Sequence, residues 1–276
     1  MIRYFLFALL AVFASVASAM SLGSKHAILI DEDTGRVLFE KNATDIVPIA
    51  SLTKLMTAMV VLDAHPDMDE PITITEDDVD TLKFSSSRVP VGATFPRRTL
   101  LELALMSSDN RAAHALARTY PGGMGRFLIA VRNKALALQL RRTNIEEPTG
   151  LSPHNTSTAS DLAKIAMAAS RYPEIEQITT VPNDVIDVEG RERAYHNTNR
   201  LVGNKNWHIL LSKTGFTNEA GRCIIMRVRA AGRNAIMVLL NARQTFNRTV
   251  DATRLYRLAA EDSHPQMVAS LGARPR

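Results

Sequence analysis

Strand-like segments stand at both ends of the chain, and a run of helix-like segments lies between them. Near the start, 26–30 reads as a strand, Asp33-Thr34-Gly35 supplies a turn, and 36–40 returns as a second strand. In the last third, 185–188, 207–212, 222–230 and 235–241 read as strands, with Ala231-Gly232-Arg233 turning between the last two. Such a layout predicts an α+β fold in which the two chain ends share one antiparallel sheet and a helical cluster is inserted between them.

The inserted segments follow the helical period. Residues 51–64 are the most apolar and end before Pro66; 99–107 and 111–120 are two short helices broken at Ser108-Asp109-Asn110. Helices over 126–140 and 158–171 follow, the second with Ser157 or Thr158 as its cap, and 251–260 closes the fold. Residues 84–98, rich in Ser, Pro and Gly, read as loop.

The first residues point to export. Arg3 precedes an apolar run over 4–16, and Ala17-Ser18-Ala19 carries the small residues a signal peptidase accepts, so cleavage after Ala19 is expected. The run is short for a membrane span, which needs about 20 apolar residues. Residues 1–19 are therefore read as a leader, 20–262 as one domain and 263–276 as a loose polar tail. Cys223 stands alone, which rules out an intramolecular disulfide, and its apolar setting reads as an inert core thiol. The net charge of +5 is diffuse, which suits a carboxylate-bearing polymer and argues against nucleic acid. The seven histidines are scattered, His154 and His196 reading as surface or satisfied rather than cleft residues. No His-Glu-x-x-His run or phosphate loop is present, so neither a metal nor a cofactor is expected.

Three short motifs carry chemistry. Only Ser51 has a lysine three positions on, in Ser51-Leu52-Thr53-Lys54. Residues i and i+3 share a helix face about 5–6 Å apart, so the hydroxyl can meet the amine of Lys54. That amine lies in an apolar stretch, where burial would lower its pKa and let its neutral form take a proton from the serine. Ser108-Asp109-Asn110, at a helix break, can present a hydroxyl and an amide to a cleft. Lys213-Thr214-Gly215, directly after a strand, can bind a carboxylate at a sheet edge, with Gly215 letting a substrate backbone approach. Ser-x-x-Lys, Ser-x-Asn and Lys-Thr-Gly in that order form the set shared by penicillin-binding proteins and class A β-lactamases.

With those motifs, the chain resembles the low-molecular-mass penicillin-binding proteins of the D-alanyl-D-alanine peptidase type over nearly all of residues 25–260. The resemblance rests on Ile49-Ala50-Ser51-Leu52-Thr53-Lys54-Leu55-Met56-Thr57-Ala58, Ser108-Asp109-Asn110, Pro148-Thr149-Gly150-Leu151 and the run from Lys213-Thr214-Gly215-Phe216 to Cys223. Ser24-Lys25-His26-Ala27, Ala117-Arg118-Thr119-Tyr120-Pro121-Gly122-Gly123 and Asn197-Thr198-Asn199-Arg200 are similar to the endopeptidase branch. So is a chain with no room for the second β-rich domain and amphipathic anchor usual in carboxypeptidase relatives.

The resemblance implies a β-lactamase/transpeptidase-like fold and a single penicillin-binding domain. Ser51 would be the nucleophile and Lys54 its proton acceptor, while Ser108 and Lys213 would pass a proton to the leaving amine. Asn110 would hold a substrate carbonyl, and the N–H groups of Ser51 and Phe216 would form the oxyanion hole. Thr214 would bind a carboxylate, assisted by Arg248 just before the last helix. The implied substrate is the peptidoglycan stem peptide, cut at D-alanyl–diaminopimelate cross-links in the periplasm, with β-lactams as covalent inhibitors. Terminal D-alanine removal is the alternative, and a loose association with other wall hydrolases stays open.

Two rivals remain. Glu147-Pro148 sits where a class A β-lactamase has its deacylating glutamate, but position 151 is Leu where that site wants Asn. Glu147 is accordingly read as a solvated loop carboxylate whose change to Gln leaves peptidase turnover largely intact. The other rival is a penicillin-binding sensor that acylates with little turnover, which a full set of polar site residues argues against.

Overall fold

The computed structural model describes residues 21–261; the expected leader and polar tail lie outside them. Strand β1 (His26–Asp31) turns into β2 (Val37–Lys41), and the short β3 (Val47–Pro48) leads through one 3-10 turn into helix α1 (Thr53–Asp63). Strands β4 (Pro71–Thr73) and β5 (Thr94–Pro96) pair around a long loop, followed by helices α2 (Arg97–Leu105), α3 (Asn110–Arg118) and α4 (Gly123–Ala137). Strand β6 (Thr156–Ser157) pairs with β3 and precedes α5 (Ala159–Ala169) and α6 (Pro173–Thr180). A hairpin of β7 (Asn183–Val188) and β8 (Arg191–His196) precedes β9 (Ile209–Thr217), β10 (Gly221–Ala230), β11 (Arg233–Ala242) and helix α7 (Thr245–Glu261).

The main sheet is antiparallel with order β2-β1-β11-β10-β9, so the first and last strand groups meet at its centre as expected. Helices cover both faces. Ile28, Ile225, Ile236 and Val238 point to the core shared with α1 and α5, while Leu29, Ile224, Met237 and Leu239 pack against Ala252 and Leu255 of α7. Two covered faces explain why the central strands are continuously apolar rather than alternating. Helix α1 is buried along residues 53–61 and packs among α2, α3, α4 and α5. A helix apolar on all sides belongs at the centre of a domain, and this one carries a lysine into it.

Three expectations change. Lys213-Thr214-Gly215 lies inside β9 rather than after it, paired with Ile225, Ile224 and Cys223 of β10. The polar run Ser212-Lys213-Thr214 imitates a strand end, yet the ladder continues to Thr217. Arg248 falls in the first turn of α7 rather than before it, because α7 begins at Thr245. Helix α6 and strand β8 had no strong periodic signal and were not expected.

Candidate active site

The turn into α1 places the Ser51 hydroxyl at the mouth of a cleft. Ala50 adopts φ 48 and Ser108 φ 63, the left-handed region that costs a non-glycine residue roughly 1–2 kcal/mol. Packing holds the first of these: a Cβ on Gly150 would lie 1.9 Å from the Ala50 carbonyl oxygen, so the Pro-Thr-Gly-Leu segment presses directly on the nucleophile turn. On the other side, a Cβ on Gly215 would come within 3.0 Å of the Ser51 nitrogen. The close approach that Gly215 permits here is therefore to the protein's own serine turn.

Lys54 is 1% exposed, and its Nζ contacts Ser51 Oγ at 2.8 Å, Asn110 Oδ1 at 2.7 Å and the Thr149 carbonyl at 2.7 Å. Three acceptors match the three N–H bonds of an ammonium. When one proton leaves, the two remaining N–H bonds serve Asn110 and Thr149, and the lone pair faces the Ser51 hydroxyl. Burial pushes this amine down from an ordinary 10.5 to about 8, against the opposing pull of Glu147, Asp109 and Asp80. The neutral form is thus accessible near neutral pH.

Across the cleft, β9 presents Lys213, whose Nζ donates to Ser108 Oγ at 2.8 Å and to the Thr214 carbonyl at 3.0 Å. Its pKa falls well below 10.5, through burial first and then the charges of Lys54 and Arg248. The break between α2 and α3 is capped by Asp109, which accepts from the Ala112 N–H and from Ser87 Oγ. That cap aims Asn110 at Lys54 and leaves its amide nitrogen to donate to Ser85 Oγ. Thr214, Phe216 and Arg248 line the same cavity as Ser51, Ser108 and Asn110. All nine sequence-predicted site residues converge on one cleft.

The D-alanyl-D-alanine carboxypeptidase family matches residues 13–244. The chain belongs to that family of serine peptidases. It is 44% identical over 246 residues to the D-alanyl-D-alanine endopeptidase of Pseudomonas aeruginosa, covering 88% of this chain and 79% of that protein. The D-alanyl-D-alanine endopeptidase of Escherichia coli is 41% identical over 88% of this chain and 79% of its own length. Among solved structures, the DD-transpeptidase of Streptomyces K15 superposes with a TM-score of 0.80 at 25% identity, covering 87% of this chain and 97% of that one. Penicillin-binding protein D2 of Listeria monocytogenes, in a cefotaxime-bound form, gives 0.75 at 28% identity over 87% and 98%.

Within this peptidase fold, several partners of the motif residues were not expected. Thr198 Oγ1 accepts from Thr214 Oγ1 at 2.6 Å, and it sits in the Asn197-Thr198-Asn199-Arg200 run already marked by similarity. Ser85 and Ser87 belong to the segment read as plain loop. Asp80 organises that segment by accepting from the N–H groups of Leu82, Lys83 and Ser85. The reading of Glu147 as a solvated carboxylate is wrong. Its oxygens accept from the N–H groups of Thr149, Gly150 and Ser152 and from the Asn155 amide, which fixes the loop whose carbonyl holds Lys54. Cys223 is fully buried, and burial raises its thiol to about 11, as an inert core thiol requires. Among the described residues no cluster of metal-ligating side chains occurs, and no helix is long and apolar enough to cross a membrane.

Proposed function

We propose that this peptidase is exported through the leader ending at Ala19 and cleaves D-alanyl–diaminopimelate cross-links of peptidoglycan by way of an acyl-enzyme on Ser51. The observation that carries the reading is the 2.8 Å contact between Ser51 Oγ and a buried amine whose two other partners fix its orientation. Ser51 Oγ attacks the D-alanyl carbonyl as its proton passes to the lone pair of Lys54. The N–H groups of Ser51 and Phe216 receive the developing oxyanion, in the way that fixed donors stabilise charge best where water is excluded. The proton taken up by Lys54 is passed on through Ser108, which Lys213 holds in place, to the departing amine as the C–N bond breaks. Lys54 is then neutral again to take a proton from the attacking water. Water then hydrolyses the ester. Thr214, with Arg248, binds the carboxylate beside the scissile bond, and Asn110 orients the acyl side.

β-Lactams acylate Ser51 by the same route, because their strained amide imitates the D-alanyl bond. The test is incubation of the purified protein with cross-linked muropeptide dimers. Monomers are expected from the native protein and none from Ser51→Ala. Release of D-alanine from pentapeptides without dimer cleavage would instead establish the carboxypeptidase alternative that the family description carries. Acylation by penicillin with neither product would establish a sensor.

A further inference from the structure

The cavity running from Ser51 and Ser108 past Thr214 has a volume of about 680 Å³. Cavities of roughly 300–1,000 Å³ hold drug-sized ligands, which is far more room than one departing amino acid needs. Its lining is charged with one sign only. Arg200, Arg222 and Arg248 contribute to it, and no Asp or Glu does among the described residues.

The three arginines are not equivalent. Arg248 is buried, and its Nη1 donates to the Cys223 carbonyl at 3.1 Å, which pins it beside Thr214. Arg222 is the cross-strand partner of Phe216, and its guanidinium stacks on that ring with the carbon 3.6 Å from the centroid. A stacked guanidinium keeps its in-plane N–H fork free for a carboxylate and loses little freedom on binding one. Arg200 follows Thr198, whose hydroxyl is tied to Thr214, so its backbone position is set by the carboxylate-binding edge itself. Its side chain is exposed.

In cross-link cleavage the departing amine belongs to a whole second stem peptide, which carries carboxylates beyond the one beside the scissile bond. In carboxypeptidase work it belongs to D-alanine, which has only one. We infer that Arg200 and Arg222 form a second anion subsite that takes a further carboxylate of the departing stem and so favours cross-linked over terminal substrate. This inference rests on the cross-link reading above and names what selects it.

The experiment compares kcat/KM for a cross-linked muropeptide dimer and for an uncross-linked pentapeptide in the native protein, Arg200→Gln, Arg222→Gln and the double variant. The dimer-to-pentapeptide ratio should fall about tenfold in the double variant, mostly through KM for the dimer, as expected for lost charge-assisted contacts in a partly exposed site. A dimer whose outlying acceptor-stem carboxylates are amidated should be cut by the native protein about as slowly as the double variant cuts the free acid. The double variant should not distinguish the two. An unchanged ratio, or a deficit that persists in full on the amidated dimer, overturns the subsite and leaves the cross-link reading standing. Pentapeptide turnover without any dimer cleavage by the native protein overturns both.

Discussion

Lys54 shows most directly how burial becomes chemistry. The folded amine loses its proton through about pH 8, and only the neutral form accepts the Ser51 proton. The acylation rate, followed with a chromogenic β-lactam under single-turnover conditions, should therefore rise with pH and level off above an apparent pKa of about 8. Glu147 is the largest of the charges holding that value up. Glu147→Gln should move the profile to lower pH, and it should lower the plateau by about tenfold because the Thr149 loop loses a charged acceptor. A profile that keeps its midpoint would separate Glu147 from the amine. Gly150 allows a sharper steric test. An added methyl would meet the Ala50 carbonyl at 1.9 Å with φ at +88, so Gly150→Ala should cut acylation at least a hundredfold. Gly232→Ala, at φ +86 in open space, should cost only about 1 kcal/mol of stability and leave acylation unchanged. At this scale the motif residues were legible because their side chains react. Their supports were hidden, since Thr149 acts through a carbonyl and Glu147 through backbone N–H groups, which any sequence offers.

At the scale of elements, boundaries moved where polarity and geometry disagree. Lys213 and Thr214 are polar, yet they occupy β9 in full register, because one edge of that strand pairs with β10 while the other faces the cleft. The segment before β5 reads as loop by composition, but carboxylates order it. Asp78 is its anchor to α3, accepting from His114 Nδ1 at 2.8 Å and from Arg118 Nε and Nη2 at 3.0 and 2.8 Å. Burial raises its pKa, but those bonds outweigh burial and hold the carboxyl well below the usual range. Asp78→Asn should destabilise the protein by about 3 kcal/mol at pH 7, the low end for breaking a buried pair because Arg118 is partly exposed. A carboxylate depressed in the fold contributes fully above its unfolded pKa of 3.8, and the contribution fades as pH falls toward the folded value. The gap in urea midpoint between native and variant should hold from pH 7 to about pH 5 and narrow by pH 3. A gap independent of pH would mean that the charge is not what binds the loop to α3.

Over the whole molecule, the sheet from both chain ends was legible because strand patterning survives at 26–40 and 222–241, whereas the cleft depends on a buried helix meeting an edge strand and has no sequence period of its own. That meeting places two lysines inside the fold, each 1% exposed. An amine that keeps its proton to 10.5 when unfolded but releases it at about 8 when folded makes the unfolded chain the tighter proton binder in between. Stability must then rise with pH across that window, in the same direction as Asp78 gives in acid but at far higher pH. The full span corresponds to about 3 kcal/mol for Lys54. Other lysines, tyrosines and arginines titrate alike in a Lys54→Met variant, so the difference between the two proteins isolates this amine and its neighbour. In the variant, Lys213 no longer faces the charge of Lys54, so its own pKa is less depressed and it gains less stability on deprotonation, which adds to the difference with the same sign. Guanidinium midpoints measured from pH 7.5 to 10 should therefore show the native protein gaining on the variant throughout. A constant difference across that range would mean that the amine keeps its proton in the fold, and the hydroxyl beside it would then have no base.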